Sequence, residues 1–157
     1  MRAILGLVAV LMLSVACGPS YIKGTEITDT PENREIVDLV ENYRLAIEGR
    51  DATMLAQIVA RSYFENASTT SVTEDDYGYE QLLKEVLPVL RDNIKKVIYK
   101  VAVEKVQKKG TQASVFVNWE LTCQYVEGGV EGWSTAKDRN RIDLVMEDGR
   151  WKIASGL

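Results

Sequence analysis

The stretch from Thr111 to Val126, T-Q-A-S-V-F-V-N-W-E-L-T-C-Q-Y-V, alternates with a period of two. Ala113, Val115, Val117, Trp119, Leu121, Cys123 and Tyr125 fall on one face. Ser114, Asn118, Glu120, Thr122 and Gln124 fall on the other, with Phe116 as the apolar intruder. That period belongs to a strand with one buried face. At about 3.3 Å per residue the stretch would reach about 50 Å, roughly three times an ordinary strand. It is expected to be the long central strand of a curved antiparallel sheet, bent by a bulge. Burial of its apolar face is worth on the order of 10–15 kcal/mol before entropy is counted.

The neighbouring segments supply partners for this strand. Upstream, Val97, Tyr99, Val101 and Val103 alternate with Ile98, Lys100, Ala102 and Glu104, and Lys105 to Gly110 is expected as a charged turn. Downstream, Glu127 to Gly132 is expected as a hairpin loop, and Trp133 to Met146 as the returning strand. Asp148-Gly149 is a strong two-residue hairpin signal. Trp151 and Ile153 belong to the closing strand.

Before the strands the period changes to that of helices. Thr30-Pro31 has the form of an N-cap followed by proline at the first helical position. Ile36, Leu39, Val40, Tyr43, Ala46 and Ile47 then form one stripe, with Tyr43 at its centre, and Gly49 is expected to end the helix. Asp51 caps a shorter helix carrying Met54, Leu55, Ile58 and Val59. Ser62 to Asn66 reads as a short strand with Phe64 turned inward. A third helix carries Tyr79, Leu82, Leu83, Val86, Leu87 and Leu90, and Pro88 is expected to kink it or split off its last turn. Helices first and an antiparallel sheet last give an α+β chain, with the helices packed on the concave face of one strongly curved sheet.

The beginning of the chain has a different character. Arg2 supplies a positive charge, Ala3 to Val15 is apolar apart from Gly6 and Ser14, and Ala16 precedes Cys17. This is the form of a secretory signal peptide, too short an apolar run to span a membrane. Ser14-Val15-Ala16-Cys17 resembles the lipobox of bacterial lipoproteins. The resemblance implies cleavage before Cys17, lipidation of its sulfur and stable anchoring in a membrane, with the usual Leu three residues before the cysteine replaced by Ser14. Gly18 in place of Asp implies the periplasmic side of the outer membrane. The chain then divides into a signal peptide at 1–16, a tether at 17–30 and one folded domain at 31–157. Gly18 to Asp29, rich in turn formers, is expected only to set distance from the membrane.

Composition narrows the chemistry. The chain has 23 acidic and 19 basic residues, a formal net charge of −4, and no histidine. With no basic stripe, nucleic acid is not an expected partner. Once Cys17 is lipidated, Cys123 has no intramolecular partner and is expected as a buried, inert thiol. Glu74, Asp75 and Asp76 are adjacent but lack the spacing of a calcium loop, and they read as a solvated helix-capping run. No metal and no cofactor are expected.

The order helix, helix, short strand, helix, then four long strands resembles the nuclear transport factor 2-like superfamily, the α+β cone that includes SnoaL-like cyclases and ketosteroid isomerases. The resemblance covers Pro31 to Leu157 and rests most on V-E-N-Y-R-L-A-I-E-G-R-D (Val40 to Asp51) and E-D-G-R-W-K-I (Glu147 to Ile153). The isomerases of that superfamily use a first-helix tyrosine as oxyanion donor, an Asp near the first short strand as base, and a second acid on a later strand. Tyr43 matches the first. The base position falls near Glu65-Asn66-Ala67, where Asn66 is the counterpart and an amide cannot abstract a proton. The third falls near Arg139 to Arg141, where no acid aligns. The expected function is therefore non-catalytic: an envelope lipoprotein whose cone binds a small apolar ligand or docks a partner protein, with a homodimer through the sheet face as a further expectation. Tyr43, Tyr63, Trp119 and Trp133 are the candidate pocket residues. The alternative is a carboxylate- and tyrosine-dependent enzyme of the SnoaL or ketosteroid isomerase type, using Tyr43, Tyr63, Glu65 and Asp138.

Overall fold

The computed structural model describes residues 18–66 and 76–157. The signal peptide, Cys17, Glu74 and Asp75 lie outside the described residues. Helix α1 (Pro31–Gly49) starts as its sequence requires: the Thr30 side chain accepts the backbone N–H of Asn33, and Pro31 opens the first turn. Its stripe of Ile36, Leu39, Val40, Tyr43 and Ala46 is buried. The left-handed residue at its end is Arg50, at φ 53°, and not Gly49. The Arg50 N–H bonds the carbonyl oxygens of Ala46 and Ile47, and its Nη1 reaches the Ile94 carbonyl oxygen at 2.7 Å. A long side chain that ties the helix end to the sheet thus offsets the strain that glycine would have avoided. Helix α2 (Ala52–Ile58) follows, capped by Asp51, whose Oδ1 accepts from Met54 N at 2.9 Å.

Strands β1 (Phe64–Glu65) and β2 (Tyr77–Gly78) form a small two-stranded pair. A helical run follows in three parts: a single turn α3 (Tyr79–Gln81), a π-helical stretch (Leu82–Val86) and α4 (Leu87–Asp92). The sequence predicts that Pro88 kinks this helix or splits off its last turn, and the run does divide there, with Pro88 in the first turn of α4. The structure also widens the preceding turn, so that Leu87 N–H bonds the Leu82 carbonyl oxygen. This spacing puts Leu82 and Leu87 on one buried face while Val86 stays exposed. A regular helix would have paired Leu82 with Val86.

The main sheet has the order β3-β4-β5-β6, all antiparallel, with β3 (Ile94–Lys109), β4 (Gln112–Glu127), β5 (Val130–Glu147) and β6 (Arg150–Ser155). β4 is the 16-residue central strand read from the alternation. It is not itself bulged. The register shifts leave Lys95 and Glu104 as extra residues on β3, and another falls between β5 and β6. Each bulge reverses the face of the residues beyond it. Thus Ile94 pairs with Tyr125 and Val106 with Val115, so both even-numbered residues share the face of Val97, Tyr99, Val101 and Val103. Lys105 to Lys109 is strand and not turn, because the bulge at Glu104 restores the pairing. The β4–β5 connection is only Gly128-Gly129, and Asp148-Gly149 turns β5 into β6 with both residues at positive φ.

The inner face of the sheet meets the helices. Val115, Val117, Ile142, Leu144 and Ile153 pack with Ile36, Leu39, Val40, Leu55 and Leu82 in one core. α1 runs along the open edge of β3. The Glu48 Oε1 accepts Tyr99 N–H at 2.9 Å, and Arg44 Nη1 reaches the Tyr99 carbonyl oxygen at 3.3 Å. Near the other end of α1, Glu32 pairs with Lys108. The segment expected as a tether is instead folded back. Tyr21 bridges Thr28, Asp29 N–H bonds the Ser20 carbonyl oxygen at 2.7 Å, and Ile27 is buried.

Candidate ligand cavity

A cavity of about 300 Å³ lies between the C-terminal half of α1, α4 and the inner face of β3, β4 and β5. Its walls include Tyr43 and Ile47 from α1, Ile94 and Tyr99 from β3, Trp119 and Cys123 from β4, and Leu157 after β6. It exists because the sheet outruns the helices. Ser134, Ala136 and Asp138 share the inner face with Cys123, Leu121 and Trp119 by register, yet are exposed. Among the described residues, no helix covers this part of β5.

Three aromatic rings make one side of the cavity. Tyr43 and Tyr99 meet edge to face, with ring centroids 5.8 Å apart and planes at 86°, and Tyr99 lies 6.4 Å from Trp119. The Tyr99 hydroxyl donates toward the Tyr43 hydroxyl at 3.5 Å, the outer limit for such a bond. Burial pushes the Tyr43 phenol well above its ordinary pKa, with added electrostatic effects from Tyr99, Tyr63 and Tyr77. Burial likewise raises Tyr99. Both stay protonated, as hydrogen-bond donors, across the physiological range.

Of the residues singled out from sequence, Tyr43 and Trp119 come together in this cavity. Trp119 is half-buried on the inner face. Tyr63 is buried beside the cavity and is not among its lining residues. Its hydroxyl donates to Glu65 Oε2 at 3.3 Å, its ring is 6.0 Å from that of Tyr77, and burial raises its pKa. Trp133 is elsewhere: it pairs with Gln124, which puts it on the outer face, 58 % exposed. An even-numbered turn pairs the even residues of β4 with the odd residues of β5, so Trp133 shares the outer face of Gln124 whichever even length the loop takes. Cys123 is not buried but half-exposed in the cavity wall.

The expected orientation of β1 is also reversed. Phe64 is 54 % exposed, and Glu65 turns inward. Glu65 Oε2 accepts Gly156 N–H at 2.6 Å. Asn140, missed as a site residue, lines the cavity, but its amide serves the backbone: Nδ2 donates to the Gly156 carbonyl oxygen at 3.0 Å and Oδ1 accepts from Arg141 N at 2.8 Å. The signal for it was its even-numbered place on β5 between Asp138 and Ile142. Asp138 accepts from Arg139 N at 2.7 Å. No side-chain carboxylate stands among the described lining residues, and the described residues contain no cluster suited to a metal ion.

An α1-first chain with a small β pair, and a four-stranded sheet open at one end over an aromatic cavity, is a recognisable cone. The fold is that of the nuclear transport factor 2-like proteins. A nuclear transport factor 2-like superfamily protein from Salmonella enterica superposes with a TM-score of 0.61 at 16 % identity, over 78 % of this chain and 86 % of that one. A protein assigned as a scytalone dehydratase from Novosphingobium aromaticivorans gives 0.64 at 15 %, over 80 % of each chain. A hexachlorocyclohexane dehydrochlorinase gives 0.58 at 16 %, over 80 % of this chain and 82 % of that one. At such identities the likeness of nuclear transport factor 2-like chains establishes the fold and says nothing of chemistry. No family model and no curated protein matches the sequence.

Proposed function

We propose that this chain is an envelope lipoprotein, anchored through Cys17 on the periplasmic side of the outer membrane, whose cone holds a small, uncharged, mostly apolar ligand without transforming it. The observation that carries the binding reading is the aromatic cavity with Tyr43 and Tyr99 as protonated donors and no charged side chain among its described walls. Such a lining suits a flat molecule with one acceptor oxygen. The weak 3.5 Å contact between the two hydroxyls leaves Tyr43 free to take a better acceptor. The test is binding of a small aromatic ketone followed by titration calorimetry. Tyr43→Phe is expected to weaken it by about 0.5–1.5 kcal/mol, the net worth of a neutral hydrogen bond, with the fold intact. An unchanged affinity would overturn the role given to Tyr43.

Two other readings have specific support. The dehydratase and dehydrochlorinase neighbours fit a carboxylate- and tyrosine-dependent enzyme, for which Asp138 is the carboxylate that shares the inner face with Trp119. Steroid double-bond isomerisation that disappears in Tyr43→Phe would establish that reading over ours. The outer sheet face, where Trp133 and Ile98 are exposed among the Lys100–Glu120 and Glu104–Arg139 pairs, fits docking of another envelope protein or a second copy.

A further inference from the structure

We propose that Leu157 sets the size of ligand the cavity accepts, and that Glu65 and Asn140 are the positioning residues that hold it there. The proposal rests on the ligand-binding reading of the cavity and deepens it.

Gly156 and Leu157 follow the last paired residue of β6, Ser155, but stay fixed to the structure. Gly156 commits both backbone polar groups, each to a different element. Its N–H goes to Glu65 Oε2 of β1 at 2.6 Å, and its carbonyl oxygen takes Asn140 Nδ2 of β5 at 3.0 Å. The bond to a carboxylate is charge-assisted and among the stronger kinds. Ser155 adds a contact from its hydroxyl to Asp143 Oδ2 at 3.3 Å. Gly156 sits at φ 88°, and a Cβ there would collide with the Arg141 carbonyl oxygen. The backbone therefore lies flush against β5 in a conformation that only glycine adopts without strain. The next residue, Leu157, forms part of the cavity wall.

This arrangement reassigns two groups that resemble recognition machinery. Glu65, the carboxylate best placed by sequence to act as a base, is spent on Gly156 and the Tyr63 hydroxyl. Asn140, the amide in an otherwise aromatic and aliphatic wall, has both ends committed to backbone. Both are engaged with the backbone through the atoms named. Their effect is to fix one apolar side chain at the boundary of the space. Most other walls belong to helices and long strands that cannot retreat without loss of the core, so Leu157 is the side chain whose size can change most cheaply.

The test compares two neutral probes, indole and the larger phenylnaphthylamine, by titration calorimetry on the full chain. Leu157→Ala is expected to shift the ratio of the two affinities toward the larger probe by about tenfold, the lower end of what one methylene is worth in an apolar pocket. Leu157→Phe is expected to shift it the other way. Glu65→Ala should move the ratio in the direction of Leu157→Ala, and Glu65→Gln, which keeps an acceptor oxygen for Gly156, should restore it. A merely structural role would lower both affinities together or reduce stability without changing the ratio. Binding by the wild type with an unchanged ratio in both Leu157 variants overturns the proposal and leaves the cavity reading standing. Failure of the wild type to bind either probe overturns both.

Discussion

Tyr43 occupies the middle of the α1 stripe and is 5 % exposed, and with Tyr63 and Tyr99 it forms a set of phenols whose pKa values burial raises. An unfolded tyrosine ionises near pH 10. Since the native pKa values lie higher, the native state keeps protons that the unfolded chain releases. Their contribution to stability is whole below about pH 10 and is lost as pH rises above it. The denaturation midpoint is expected to fall steeply above about pH 10, and phenolate absorbance of these tyrosines should appear together with unfolding and not before it. Early titration of all the tyrosines in a still-folded chain would contradict their burial. The helical stripe made the place of Tyr43 legible in the sequence. The direction of Glu65 was not, because a two-residue strand has too little pattern to fix its faces, and its partner, the Gly156 backbone, lies 91 positions away.

At the scale of elements, the long alternation predicted β4 well because no bulge falls on it to shift the period. The extent of β3 was misjudged because its bulge at Glu104 breaks the period just where the lysines begin, and the run Lys105 to Lys109 then resembles a turn. The edge of β3 depends on something no pattern reveals: the charged face of α1. Glu48 and Arg44 supply the acceptor and donor that a neighbouring strand would have given Tyr99. The Tyr99 N–H holds the Glu48 carboxyl below its usual pKa range, and Arg44 adds to the effect. Glu48→Ala is expected to cost about 1–3 kcal/mol, since it leaves the Tyr99 N–H without its acceptor. It should also promote association through the uncovered edge. Glu48→Gln should recover most of both. A Glu48→Ala melting curve matching that of the wild type would show that α1 guards the edge by packing alone.

For the whole molecule, the hairpin at 20–29 matters more than any single contact, because it removes the slack expected between membrane and domain. On the proposed anchor, only Gly18 and Pro19 lie between Cys17 and Ser20, whose carbonyl oxygen takes the Asp29 N–H, a reach of about 10 Å. The hairpin leads directly into α1, whose first turn pairs with Lys108 beside the β3–β4 turn. That end of the sheet should therefore lie nearest the bilayer. The opposite end, with Gly128-Gly129 and Val130, is one full length of β4 away, about 50 Å for its 16 residues. Fluorophores placed by Lys109→Cys or Val130→Cys, each in a Cys123→Ser background, would report this through quenching by spin-labelled lipid. Strong quenching at position 109 and weak quenching at 130 are expected. In Cys17→Ser the quenching at 109 should disappear, together with the acyl mass of the membrane-extracted protein. Equal quenching at both positions in the acylated chain would mean that the hairpin opens at the membrane and the domain swings freely. A chain that carries no acyl mass at Cys17 would remove the anchor itself while leaving the cavity and its walls unchanged.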